Sequence, residues 1–308
     1  MRAFGVLLLL SALALSISRA PDRPLQSLVA RWAPPPSKFV ELAGMQVHLR
    51  DEGPRDDPVP VVLIHGTSAS LHTWEGWVHA LRLQRRVISF DLPGFGLTGP
   101  NSSGRYIASD DARFTLQLLD ALKVQRFVIG GNSLGGEVAW RTAVLAPARV
   151  ERLILVDATG LTAEPESIPL GWRVARVPVL GSISEWVLPR ALVTQGLVQV
   201  YGHPERVNSE LVDRYFEITL RDGNRAALRQ RLQQWVPIVD TEGLARLTLP
   251  TLILWGGQDH LLPRSAALAF QSRINGSKLV VFEDLGHVPM EEDPARTVLP
   301  VKEFLGLR

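Results

Sequence analysis

The stretch RFVIGGNSLGGEVAW, residues 126–140, sets one serine between two pairs of glycines just after an apolar run. Phe127, Val128 and Ile129 read as the end of a strand, and residues 134–146 as a helix. Between them, Gly131-Asn132-Ser133-Leu134-Gly135 fits the pattern G-x-S-x-G. In that pattern a serine sits on a tight strand-to-helix turn with its hydroxyl exposed. Crowding explains the glycines, because a side chain at 131 or 135 would meet neighbouring backbone. The helix N-terminus behind Ser133 also favours negative charge developing there. Glycine–serine turns are common in loops, so Ser133 gains meaning only if a base, an acid and oxyanion donors wait elsewhere.

The same kind of run recurs along the chain. VPVVLIHG (59–66), RVISFDLPGFG (86–96), RLILVDATG (152–160), PTLILWGGQD (250–259) and SKLVVFEDLGH (277–287) are continuous apolar segments that end in turn residues. Such runs are expected of strands buried on both faces. KFVELAGMQVHLRDEG (38–53) reads as two strands joined near Ala43-Gly44. Helical stretches fall between, near 70–83, 105–122, 134–146, 264–274 and 291–306. This alternation predicts an α/β fold with a mostly parallel sheet and helices on both sides. One interval breaks it. From about residue 161 to 240 no buried strand is evident, and SELVDRYFEITL and NRAALRQRLQQW carry helical spacing, which predicts a helical insertion.

Composition narrows the class. The 308 residues include 33 basic and 31 acidic side chains, a formal net charge of +2, and no basic stripe with interleaved aromatics. Nucleic-acid binding therefore has no support. With no cysteine, disulfides, a thiol nucleophile and thiolate metal sites are excluded. No H-E-x-x-H, P-loop or complete dinucleotide fingerprint is present, so neither a metal nor an organic cofactor is expected.

Residues 1–20 pair Arg2 with a 14-residue apolar run, Phe4 to Ile17, followed by Ser18 and Ala20. The length suits a signal-peptide core and is short for a membrane span. The expectation is a signal peptide or membrane anchor that leaves the body outside the cytoplasm. Residues 21–37 form a proline-rich linker, with Leu25, Leu28, Val29 and Trp32 at helical spacing. That face suits either a membrane surface or packing on the domain.

Candidates for the remaining chemistry lie after four of the strands. His65-Gly66-Thr67-Ser68 follows an early strand, and the loop there supplies a backbone N–H facing the nucleophile. Thr67 is the first choice of donor, with Ser68 the alternative. The N–H of Leu134 is the second donor. His65 is read as ordering the loop. His287 follows the last strand and is the candidate base. His48, His72, His79 and His203 sit in unpatterned contexts and read as surface or packing residues, and His260 as a bystander. Two aspartates compete for the acid. Asp157 ends one strand directly, where it would bond backbone at a chain reversal. Asp259 follows a Gly-Gly turn and can fix the imidazole tautomer.

With Ser133, Asp259 and His287 in that order, the chain resembles the α/β-hydrolase family over residues 38–308. HGTSAS, DLPGFGLT, GNSLGG, GGQDHLLP and GHVPMEEDP stand where that family carries its motifs. The resemblance implies a sheet of about eight strands, a core of residues 38–160 and 241–308, and a helical cap at 161–240. It implies that Asp91 and Gly94 shape a turn near the site, and it favours Asp259 as the acid. Epoxide hydrolases and haloalkane dehalogenases use aspartate at the nucleophile turn, where this chain has Ser133. GNSLGG is similar to carbon–carbon bond hydrolases of aromatic degradation, which usually carry tryptophan after the catalytic histidine; Val288 stands there.

The expected activity is serine hydrolysis of a carboxylic ester through Ser133, His287 and Asp259, with Thr67 and Leu134 as the oxyanion hole. The alternative is a carbon–carbon or amide bond hydrolase or an acyltransferase on the same residues, and behind it a non-catalytic binding protein. The expected partner is a small apolar ester. Trp172, Val174, Val177, Leu180, Trp186 and Val187 are candidates either for the pocket or for packing of the cap.

Overall fold

The computed structural model describes residues 18–161, 167–235 and 242–307, with the side chains of 178–180 left aside. The Phe4–Ile17 run lies outside the described residues. Among those described, no helix is long and apolar enough to cross a membrane.

Eight strands form one sheet: β1 Lys38–Leu42, β2 Met45–Glu52, β3 Val61–Ile64, β4 Val87–Phe90, β5 Phe127–Asn132, β6 Val150–Val156, β7 Thr251–Gly256 and β8 Lys278–Phe282. Their order is β1-β2-β4-β3-β5-β6-β7-β8. β1 and β2 form an antiparallel hairpin, and β2 runs antiparallel to β4. From β4 to β8 every pairing is parallel. β3, β4, β5 and β7 are buried at every position. Alternate residues feed two cores. Val62, Ile64, Ile129 and Ile253 join one face, while Val61, Leu63, Val128 and Leu252 join the other. This is why these strands read as unbroken apolar runs instead of alternating ones.

Between β6 and β7 the chain leaves the sheet for the helices Leu170–Arg176, Pro178–Ser184, Arg190–Val200, Ser209–Thr219 and Asn224–Gln234. The segment before β1 is docked against this insertion. Ala20 N–H donates to Trp186 O, and Arg23 N–H to Leu220 O. A helix over Leu25–Trp32 buries Leu28 and Trp32. Arg31 pairs with Asp213 and Glu217, and the Trp32 indole N–H also donates to Glu217. The amphipathic spacing in this proline-rich stretch is therefore spent on packing against the protein.

Trp186 is 66% exposed and Val177 44% exposed, so these two candidate pocket residues face outward. The side chain of Leu180 is not among those described. Trp172 is half-buried, packs on the main core and donates its indole N–H to Ser68 Oγ at 3.2 Å. Apolar side chains alone could not separate these cases, because a cap helix has both an inner and an outer face.

Candidate active site

Ser133 sits between β5 and the helix Leu134–Leu145 with φ 54° and ψ −120°. A non-glycine residue holds such a conformation only when its surroundings impose it. Here they do. Ser133 N–H donates to Val156 O, and Ser133 O accepts from the amides of Glu137 and Thr159. The flanking glycines fit the crowding. A Cβ at Gly131 would lie 2.0 Å from Gly135 O, and one at Gly135 would lie 2.1 Å from Ile64 O. The helix can thus lie directly over the end of β3.

The loop after β3 reaches the same point. A Cβ at Gly66 would come within 3.1 Å of the Ser133 Cβ. His65 is fully buried, with Nδ1 against Gly66 O at 2.7 Å and Nε2 accepting from Leu92 N–H at 3.0 Å. Burial holds its pKa below the usual histidine value. A neutral ring donating through Nδ1 satisfies both contacts, so His65 orders the loop. The next residues, Thr67 and Ser68, are half-buried, and Ser68 has φ 61°. Leu134 opens the helix, where amides lack intrahelical acceptors.

His287 and Asp259 meet at the ends of β8 and β7. His287 Nδ1 lies 2.7 Å from Asp259 Oδ2, and both side chains are nearly fully buried. Asp259 Oδ1 accepts from the amides of Leu261 and Leu262 at 2.8 and 2.9 Å. The Asp259 carboxyl is thereby oriented by backbone on one oxygen and by the imidazole on the other. His260 is exposed. Asp157, also buried, has φ 43° and accepts from Gly256 N–H at 2.8 Å. It therefore bonds the end of β7, a backbone role at the chain reversal. It is also close to the pair: an oxygen of Asp157, an oxygen of Asp259 and a ring nitrogen of His287 lie within 4.8 Å of one another. This is the one group of metal-type donors among the described residues. Within this group His287 Nδ1 is hydrogen-bonded to Asp259.

Three supporting residues carried no sequence signal. Asn132 Nδ2 donates to His287 O at 2.9 Å and Val156 O at 3.2 Å, tying the histidine loop to the nucleophile turn. Glu292 is buried and accepts from the amides of Gly286, Gly202 and His203. His287 N–H donates to Val200 O, at the end of a cap helix. The His287 loop is thus held by the segment between β6 and β7 as well as by the sheet core. Asp91 accepts from the amides of Leu71 and Leu97 and faces His48 Nδ1 at 2.7 Å. Burial opposes its ionisation, but the facing histidines outweigh that and hold its pKa below the usual carboxylate range.

Sheet order, the strained serine turn and the acid–histidine pair define a hydrolase scaffold. The model of the alpha/beta hydrolase fold family matches residues 59–294, and the chain belongs to that family. An uncharacterized protein of Mycobacterium tuberculosis is 32% identical over 286 residues, covering 89% of this chain and 82% of its own. The meta-cleavage product hydrolase of Pseudomonas fluorescens IP01 superposes with a TM-score of 0.74 at 26% identity, covering 88% of this chain and 97% of that one. The structure of a membrane phospholipase A gives 0.75 at 24% identity over 99% of this chain and 98% of that one, a likeness of fold. The protein is an enzyme of the α/β-hydrolase class, with a meta-cleavage product hydrolase among the structures it resembles.

Proposed function

We propose that the enzyme cleaves carboxylic esters through an acyl-enzyme on Ser133. The observation that carries this is the strained serine turn standing in one fold with a buried Asp259–His287 pair at 2.7 Å. Ser133 Oγ attacks the acyl carbon while His287 takes its proton. The Thr67 and Leu134 amides receive the oxyanion, and each such donor is worth about 3–4 kcal/mol. His287 then protonates the departing alcohol, and the acyl group stays on Ser133. Water attacks the acyl-enzyme, gives a proton to His287, and releases the acid and free Ser133. Asp259 keeps Nδ1 protonated throughout. Trp172, anchored to Ser68, brings apolar cap surface over the oxyanion loop, which favours an apolar acyl or alcohol group.

A second reading is favoured by GNSLGG and the likeness to the meta-cleavage product hydrolase. In that reading the same residues would cleave a carbon–carbon bond. Val288 argues for the ester reading, because it is aliphatic and buried where carbon–carbon hydrolases place tryptophan. A panel of p-nitrophenyl esters of rising chain length, aryl amides and a vinylogous diketone separates the readings. We expect the highest kcat/KM on butyrate-sized or longer esters. A preference for the diketone, or for small charged esters, would reverse the assignment.

The proposed location is outside the cytoplasm, exported or tethered through the N-terminal segment. Arg2 and the Phe4–Ile17 run support it, as does exposed Trp186 beside the point where that segment meets the cap. Cell fractionation is expected to find the chain in the membrane or exported fraction. A soluble, full-length cytoplasmic chain would refute the proposal.

A further inference from the structure

Asp157 is a buried ionisable group that the acyl-transfer steps leave unused. Its Oδ1 accepts one amide, from Gly256. Its Oδ2 is equally buried and meets no donor. Its acidic neighbour is the Asp259 carboxyl, an oxygen of which lies within 4.8 Å of an oxygen of Asp157. Asp259 is far better supplied, with the Leu261 and Leu262 amides on one oxygen and His287 Nδ1 on the other. Two buried carboxylates this close disfavour ionising together, and negative charge goes to the one with more donors. The other acidic group acting here is Glu292, which adds to the negative potential. Burial first, and then the Asp259 charge, push the Asp157 pKa well above the usual carboxylate range.

We infer that Asp157 is a neutral carboxylic acid whose O–H donates to the Asp259 carboxylate, so that it positions the acid of the triad. A proton there satisfies the one oxygen of Asp157 that otherwise has no partner. It also keeps a second charge away from His287, and it gives the left-handed backbone at Asp157 a purpose beyond closing the turn. The inference rests on the reading of Ser133, Asp259 and His287 as the catalytic set.

Infrared difference spectroscopy of the full chain, wild type minus D157N near neutral pH, is expected to show the C=O stretch of one protonated carboxyl. A missing band would overturn the inference whatever substrate the enzyme takes, so this result is separate from the ester reading. The kinetic arm uses the best p-nitrophenyl ester. D157N should stay within about threefold of wild type in kcat, because its amide N–H repeats the donation while its oxygen still accepts from Gly256. D157A should lose about ten- to hundredfold in kcat, the range for a hydrogen bond to a charged group. Its acidic kcat/KM limb should also move to higher pH, since an unshared Asp259 charge holds the imidazolium more firmly. Equal damage in D157N and D157A would show that a charge is needed at 157 and would overturn the proposal. So would a D157A variant that melts earlier with an unmoved limb. If D157A does not fold, the infrared band and D157N decide.

Discussion

Ser133→Ala is expected to fold normally and to lose about 10⁶-fold in kcat on any substrate the wild type hydrolyses, the cost seen when a serine nucleophile is removed. Alanine retains the Cβ, so the turn at φ 54° keeps its shape and its three backbone hydrogen bonds. What disappears is the atom that attacks. The residual rate would come from the Thr67 and Leu134 amides and from binding, which act without a covalent step. Wild type should be labelled once by a fluorophosphonate, at Ser133, and the variant not at all. A variant within a hundredfold of wild type, or one still labelled, would place the nucleophile elsewhere and would remove the acyl-enzyme scheme with it.

Much of this site was legible because the chemistry imposes local sequence. The Ser133 turn needs glycine at 131 and 135, where a Cβ would lie 2.0 and 2.1 Å from backbone oxygens. The strands that carry Ser133, Asp259 and the His65 loop are buried on both faces, which leaves apolar runs that no amphipathic helix would show. The motifs could therefore be assigned to the C-terminal ends of strands, where ligands of open α/β sheets bind. The competition between Asp157 and Asp259 was also visible, since both end such runs. Their closeness, within 4.8 Å, was not, because it depends on β6 and β7 being neighbours in the sheet.

The rest was hidden because it depends on long-range contact and has no spacing. His48 and His72 stood as surface or packing residues, and the structure buries both. His48 bridges Asp91 and Ser37 through its two ring nitrogens. His72 lies between Ser70 Oγ and Trp32 O, and burial pushes its pKa down to about 4. Neither a lone histidine nor a lone glutamate such as Glu292 announces a partner many residues away. Asn132 is hidden for a different reason, since the position just before the serine in G-x-S-x-G accepts many residues. Its side chain matters only because the His287 carbonyl lies 2.9 Å away. The segment 21–37 was ambiguous because one amphipathic face serves a membrane or a protein surface equally well. Arg31 and Trp32 bonding to Glu217 shows which surface it uses within the described residues.

Asp259→Asn is expected to cut kcat about 10⁴-fold with little loss of stability, the penalty for presenting the wrong imidazole tautomer. At about 1.36 kcal/mol per factor of ten, that is about 5.5 kcal/mol of transition-state stabilisation from a single atom exchange. The fold should tolerate it, because the amide oxygen can still accept from Leu261 and Leu262. The exchanged group, however, is the one 2.7 Å from His287 Nδ1. An amide N–H there can only donate, so Nδ1 must give up its proton and accept. The ring proton then moves to Nε2, which can no longer take the proton of Ser133. Asp157→Asn makes the same exchange on a carboxyl that carries a proton already, so its effect should be far smaller. The pair is best measured together, as kcat/KM and melting temperature of the two purified variants on one ester. The reverse ranking, with D157N crippled and D259N mild, would transfer the acid's role to Asp157, leave Ser133 and His287 in place, and reduce Asp259 to a brace for the loop that ends β7.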